Sequence, residues 1–175
     1  MDALHWIHER VSYRGEYVQE PVPRDHLRAI MEAGLCAPSG CNKQTTSLIA
    51  VDDPALLAQM KRQIDPPIAE TAPAFICVIT QRVYAYRDKC FNVQDYAAAI
   101  ENMLLAIVAM GYQSCWYEGH ITDDDRIGTQ LAEMLGVPHE YEMVCVLPVG
   151  RAAESVSRVR KKPFEQRAAF NGFEM

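Results

Sequence analysis

The densest apolar stretch of the chain runs from Asp95 to Met110. Ala97, Ala98, Ala99, Ile100, Met103, Leu104, Leu105, Ala106, Ile107, Val108, Ala109 and Met110 leave almost no polar face on a helix of 3.6-residue period. Asp95 favours the positive end of such a helix and Gly111 stops it. A helix apolar nearly all round must be covered on every side, at the centre of a domain or by a second subunit.

The other elements follow from shorter patterns. Residues 2–10 predict a short helix. Pro23 to Leu35 predict another, with Leu27, Ile30, Met31 and Leu35 on one face and Pro23 in the first turn. Gly34 to Lys43 is broken by Pro, Ser, Gly and Asn and reads as a loop. Ser47 to Val51 predicts a strand, and Pro54 to Gln63 a helix. The unbroken apolar run AFICVIT, Ala74 to Thr80, predicts a strand buried on both faces. Ser114 to Tyr117 predicts a short strand. Thr122 to Leu135 predicts a helix capped by Thr122, with Asp123 to Asp125 at its positive end, and Tyr141 to Val149 a last strand.

Length and composition then narrow the class. The 175 residues, 49% apolar and 23% charged, predict one globular domain over 1–175 with enough apolar surface to hold a core without disulfides. The six cysteines include no CxxC pair, and reduced thiols in a cytoplasmic protein are expected. No metal site is expected: His5 and His8 share a helix face but have no third ligand in view, so they read as surface histidines. The first ten residues do not read as a secretory or transit segment, and no run reaches the ~20 apolar residues of a membrane span. The signatures GxGxxG, GxxxxGK[ST] and GxSxG are absent.

The net charge of −6 argues against a nucleic-acid surface. It is unevenly spread. Arg151 to Arg167 holds six basic residues against two acidic ones, which suggests a focused anion site.

Four constellations carry possible chemistry. Arg10-x-Ser12-x-Arg14 offers guanidinium and hydroxyl donors suited to a phosphate. Pro38, Ser39 and Gly40 sit in a small-residue loop that lets backbone approach a ligand, and Asn42 and Gln44 can read a heterocycle edge. Cys41 stands beside Lys43 without a nearby histidine base. Ser114 to Gly119 follows the apolar helix, and the basic tail is the fourth. On spacing alone, each also describes ordinary structure: a solvated turn, a polar connection, a strand with Trp116 in the core, a solvated charged stretch.

Their order along the chain is more specific. An Arg-x-Ser-x-Arg opening, an APS-x-x-N-x-Q loop, a long apolar helix followed by Glu118-Gly119, and LPVG before a basic segment together resemble the FMN-dependent nitroreductase family, from about residue 4 to residue 165. The resemblance implies an α+β homodimer with a central, mostly antiparallel sheet flanked by helices, and FMN bound where two chains meet. Arg10, Ser12 and Arg14 would hold the FMN phosphate and ribityl chain, completed by Arg160 and Lys161. Asn42 and Gln44 would contact the flavin ring and ribityl hydroxyls, and Pro38, Ser39 and Gly40 would approach it from the partner chain. The backbone N–H groups of Glu118 and Gly119 would face flavin N5. No side chain need act as acid, base or nucleophile.

The implied function is ping-pong hydride transfer from NAD(P)H through FMN to a nitroaromatic, quinone or similar acceptor, with no nucleic-acid or membrane partner. The alternatives are a flavoenzyme of the same fold with other chemistry (dehalogenation, flavin cleavage or azoline oxidation) or a non-catalytic FMN-binding module. The sequence departs from the family pattern at Thr45-Thr46, where many members have Pro-Trp. Only a short connection, Thr80 to Val93, stands where larger members place capping helices. Tyr84, Tyr86 and Phe91 there read either as a reduced lid or as packing.

Overall fold

The computed structural model describes residues 3–64, 69–122 and 126–172. Three antiparallel strands form the main sheet in the order β1-β2-β5: β1 (Thr46–Val51), β2 (Ala74–Thr80) and β5 (Glu142–Val149). β2 is central and buried at every position, as its unbroken apolar run predicts. Alternation divides its side chains between two cores. Phe75, Cys77 and Ile79 join one core with Leu57, Met60, Ile127 and Leu131. Ala74, Ile76 and Val78 join the other with Leu27, Ile30, Ile100, Met103 and Ile107.

Helices therefore cover both faces. On one side lie α3 (Pro54–Gln63) and α5 (Ile127–Met134); on the other lie α2 (Arg24–Leu35) and the long α4 (Asn92–Ala109). Asp53 caps α3 by accepting from the Leu56 amide at 2.8 Å, with Pro54 in the first turn. A short α1 (Ala3–Glu9) has no buried residue and lies against α4.

Two expectations are corrected, and the structure adds to two others. First, of the two ways α4 could be covered, burial within its own chain is incomplete among the described residues. Val93, Glu101 and Ala109 are exposed, and Ala97 and Leu105 half-buried, so a stripe at i, i+4 spacing stays open.

Second, Ser114 to Tyr117 is not a regular strand. Gln113 pairs with Gly150 and Tyr117 with Val146 in one continuous antiparallel register beside β5. That register sets Cys115 opposite Pro148, which has no N–H to give, so the ladder is interrupted between two good bridges.

Third, Thr122 does not point forward as a cap for α5. Its hydroxyl turns back toward the Glu118 carbonyl at 3.4 Å, and α5 begins at Ile127. The expected acidic first turn, Asp123 to Asp125, lies outside the described residues. Fourth, the connection before α4 contains a hairpin, β3 (Tyr84–Tyr86) with β4 (Lys89–Cys90), turned through left-handed Arg87 and Asp88. A hairpin this short falls below the length at which alternation is a signal.

Candidate functional site

Three of the four constellations converge. The arm from Arg10 to Arg14 leaves α1 in extended form. Tyr13 turns inward and stacks edge-on against Tyr17 at 5.1 Å, which sends its neighbours Ser12 and Arg14 outward. The Tyr13 amide donates to the Ser114 carbonyl at 2.8 Å, so the arm runs beside the segment that leads to Glu118. The Gln113 amide donates to Gly150 at 2.8 Å and the Val18 amide to Arg151 at 2.9 Å, which brings in the start of the basic tail. Further along, Arg158 forms an ion pair with Glu9, the residue before Arg10. Arg160 and Lys161 are exposed and follow within two or three residues, a reach of at most ~11 Å.

The cations of this group differ. Arg10 is paired with Glu101 on α4 at 3.3 Å. Arg158 holds the Glu9 carboxyl below its usual range. Arg14 has no carboxylate partner among the described residues. It bears on the buried Cys115 thiol, where burial outweighs its charge and pushes the thiol up to about 11.

The Glu118 turn is tightly fixed. Tyr96 donates its hydroxyl to Glu118 Oε1 at 3.0 Å and Trp116 donates its indole N–H to Oε2 at 2.6 Å. The Glu118 carbonyl accepts from the Ile121 amide at 2.8 Å and the Thr122 amide at 3.2 Å. Among the described residues, neither the Glu118 amide nor the Gly119 amide has an acceptor, and a side chain at Gly119 would meet open space. A cavity of about 640 Å³ adjoins the turn, lined in part by Asn92, Tyr96, Glu118, Thr122 and Arg126.

The loop with Pro38, Ser39, Gly40, Asn42 and Gln44 is not part of this convergence. It sits at the N-terminus of α4, anchored by a buried carboxylate: Asp95 accepts from the Gly40 amide at 2.7 Å and from the Thr45 hydroxyl at 2.7 Å. Ser39 Oγ accepts from the Gln44 amide at 3.0 Å. Cys41, Asn42 and Gln44 all take left-handed backbone, with φ of 50°, 54° and 49°. The side chains of Asn42 and Gln44 are exposed and make no hydrogen bond among the described residues. A methyl at Gly40 would stand 2.5 Å from the Phe91 ring, so glycine is required for close packing there.

Helix α4 thus relates the parts. Asp95 fixes the loop, its neighbour Tyr96 fixes the Glu118 turn, and Glu101 meets Arg10 some six residues on, ~9 Å along the axis. Sequence reasoning treated Asp95 only as a helix-dipole charge, passed over Tyr96 and left Trp116 as a core candidate. The partners of Asp95 and Tyr96 lie 22 to 55 residues away, and the bond from Trp116 to Glu118, two residues on, has no sequence pattern that marks it. Phe91 takes a packing role beneath Gly40, whereas Tyr84 and Tyr86 are exposed on the adjoining hairpin.

Comparison with known proteins agrees with this architecture. Residues 7–71 and 62–151 match the model of the Nitroreductase family. A protein of Archaeoglobus fulgidus named as a candidate NADH dehydrogenase/NAD(P)H nitroreductase is 29% identical over 150 residues, covering 85% of this chain and 84% of its own. The crystal structure of a nitroreductase with bound FMN from Bacteroides fragilis superposes with a TM-score of 0.78 at 26% identity, covering 98% of this chain and 100% of that one. An FMN-dependent nitroreductase from Clostridium difficile superposes with a TM-score of 0.81 at 23% identity over 97% and 99% of the two chains. With most of its length matched by the family model and its α+β architecture shared with these structures, the chain belongs to the nitroreductase family.

Proposed function

We propose that this protein is an FMN-dependent oxidoreductase that takes reducing equivalents from NADH or NADPH and passes them, in a ping-pong cycle, to a nitroaromatic, quinone or similar acceptor. The observation that carries the reading is the convergence of the Arg10–Arg14 arm, the Glu118–Gly119 turn and the basic tail, held by the Tyr13–Ser114 and Gln113–Gly150 hydrogen bonds and the Glu9–Arg158 ion pair. Segments a hundred residues apart meet with cations at one end and, at the other, two amides that have no acceptor among the described residues.

The donor set fits FMN. Arg14 and Ser12 are exposed beside Arg10, and Arg160 and Lys161 extend the same positive region. Guanidinium and hydroxyl groups suit a phosphate of nearly two negative charges. The open amides of Glu118 and Gly119 suit an acceptor atom of a heterocycle, and Asn42 and Gln44 present donors and acceptors from the loop. When bound, FMN supplies the redox chemistry, and the protein supplies binding and orientation. Arg10, Ser12 and Arg14 would hold the phosphate end, and the turn would orient the ring end. Pro38, Ser39 and Gly40 share no hydrogen bond with the arm, the turn or the tail among the described residues, and we assign them to the site of a second chain. The open stripe Val93, Ala97, Glu101, Leu105 and Ala109 supports a homodimer joined along α4.

The purified protein is expected to be yellow, to bind about one FMN per chain, to sediment as a dimer and to be bleached anaerobically by NADH or NADPH. Steady-state rates against both substrates should give parallel double-reciprocal lines. A colourless protein that takes up no added FMN overturns the proposal. A flavoprotein that no nicotinamide reduces retains the cofactor and overturns the activity.

A further inference from the structure

Every acceptor on Glu118 is engaged within the fold. One carboxylate oxygen takes the Tyr96 hydroxyl, the other takes the Trp116 indole N–H, and the carbonyl takes two amides of the following turn. The residue is therefore held at its side chain and its carbonyl, while its amide and that of Gly119 have no acceptor among the described residues. Both side-chain clamps come from rigid ground. Tyr96 lies in the second turn of α4 with its ring buried in the sheet-facing core, and Trp116 packs on the same cluster. Two donors on one carboxylate are strong, charge-assisted bonds in a half-buried setting.

We infer that Tyr96 and Trp116 are positioning residues, which clamp the Glu118 carboxylate so that the Glu118 and Gly119 amides are pre-aimed at the ring end of the cofactor. The inference rests on the FMN reading and adds residues which that reading does not need. Two features support it. The Tyr96 hydroxyl is pushed up to about 12, first by burial and then by the carboxylate it faces, so it stays protonated and donating through the neutral range. Neighbouring Asp95 pins the Gly40 loop by the same kind of bond, so one helical turn aligns two stretches of backbone. Fixing a donor before the ligand arrives avoids reorganisation at binding.

The test separates aim from affinity. Tyr96→Phe and Trp116→Phe each delete one donor and keep a ring, and Tyr96→Phe,Trp116→Phe deletes both. For the double variant the inference predicts an altered bound-flavin absorption spectrum and midpoint potential, and anaerobic reduction by NAD(P)H slowed about tenfold or more. FMN affinity should stay within a few-fold, because the arm at Arg10 to Arg14 is intact. Arg14→Ala should do the opposite, weakening affinity while leaving the bound spectrum unchanged. In a Glu118→Ala background, Tyr96→Phe should add nothing further, since the hydroxyl acts through that carboxylate.

A folded double variant with wild-type spectrum, potential and reduction rate overturns the inference. So does additivity of Tyr96→Phe with Glu118→Ala. Where melting shows that the double variant does not fold, the single variants and the cycle decide. Failure of the wild-type protein to bind FMN is a different result, and it overturns the function proposed above.

Discussion

The loop from Ala37 to Thr45 and the tail from Arg151 to Arg167 are both polar, both irregular and both proposed to serve the same cofactor. They are held in opposite ways. The loop ends in a buried network: Thr45 and Asp95 are each 4% exposed, and the Asp95 carboxylate joins Gly40 and Thr45 across fifty and more residues. Its left-handed residues at Cys41, Asn42 and Gln44 are kept in place by that anchor and by the Ser39–Gln44 bond. Beyond Ala152 the tail is exposed at every residue up to Arg167; past its start, where the Ala153 amide donates to Glu16 at 2.9 Å, the Glu9–Arg158 ion pair is its side-chain tie to the body among the described residues. The loop is held by buried bonds before any ligand binds, whereas the tail presents exposed side chains whose fixing on a ligand costs conformational freedom.

The largest test of this contrast is at the anchor. Asp95→Ala removes two charge-assisted hydrogen bonds and strands the Gly40 amide and Thr45 hydroxyl, which should cost about 3 kcal/mol of unfolding free energy. Denaturant melts measure the loss, and hydrogen exchange should rise first at residues 39–45. Unchanged exchange there would mean that the loop holds itself.

The elements whose burial is periodic were legible from the chain alone. β2 announces itself by an unbroken apolar run, and α2 and α3 by prolines and 3.6-residue spacing. What escaped reading depends on partners remote in sequence. Asp95 looks like a helix-start acid until Gly40 and Thr45 are brought to it. The Ser114 to Tyr117 strand fails because Pro148 arrives opposite Cys115, a matter of register between segments thirty residues apart. Hydrophobicity asks for full cover of α4 but does not say by what, and among the described residues Val93, Ala97, Leu105 and Ala109 stay partly or fully open. The order of the motifs made the family readable. The Tyr96–Glu118–Trp116 clamp was not, because nothing in the sequence singles out Tyr96, and Trp116 reads equally as core.

A second test asks how closely the loop fits its bed. Gly40→Ala places a methyl 2.5 Å from Phe91 Cδ2 and 2.6 Å from its Cβ, and the Cβ cannot swing away. The expected cost is about 1–3 kcal/mol in stability. Gly119→Ala meets nothing within 4 Å and should be near neutral in the same melts. Equal effects of the two would remove the argument from packing.

The cations can be ranked next. Arg14, with no carboxylate partner among the described residues, should contribute more to FMN affinity than Arg160 or Lys161, which must be ordered first. Arg14→Ala should weaken binding about tenfold to a hundredfold, from the ~1.5–3 kcal/mol of a hydrogen bond to a charged group. Substitutions at Arg160 or Lys161 should weaken it only a few-fold and lower its salt sensitivity. Fluorescence titration of the apoprotein with FMN at two ionic strengths gives both quantities. A larger loss at Arg160 would reverse the order of loop-like and tail-like contributors.

The smallest effect concerns the tie itself. Arg158 lowers the Glu9 carboxyl below its usual range, so the folded state binds that proton less readily than the unfolded chain does. The tie is therefore fully present above the ordinary carboxylate range and is lost as pH falls through the depressed value. Both groups face solvent, so the global melting temperature should hardly change on this account. Local exposure should change. Acid should speed hydrogen exchange in the tail amides around Val156 to Val159 relative to those of β5. In Arg158→Ala, exchange should already be fast at neutral pH, and acid should add no further loosening specific to the tail. If the wild-type tail keeps the same exchange relative to β5 from neutral pH down to the acid limit, the tail is held by something other than this pair, and it is as pre-built as the loop.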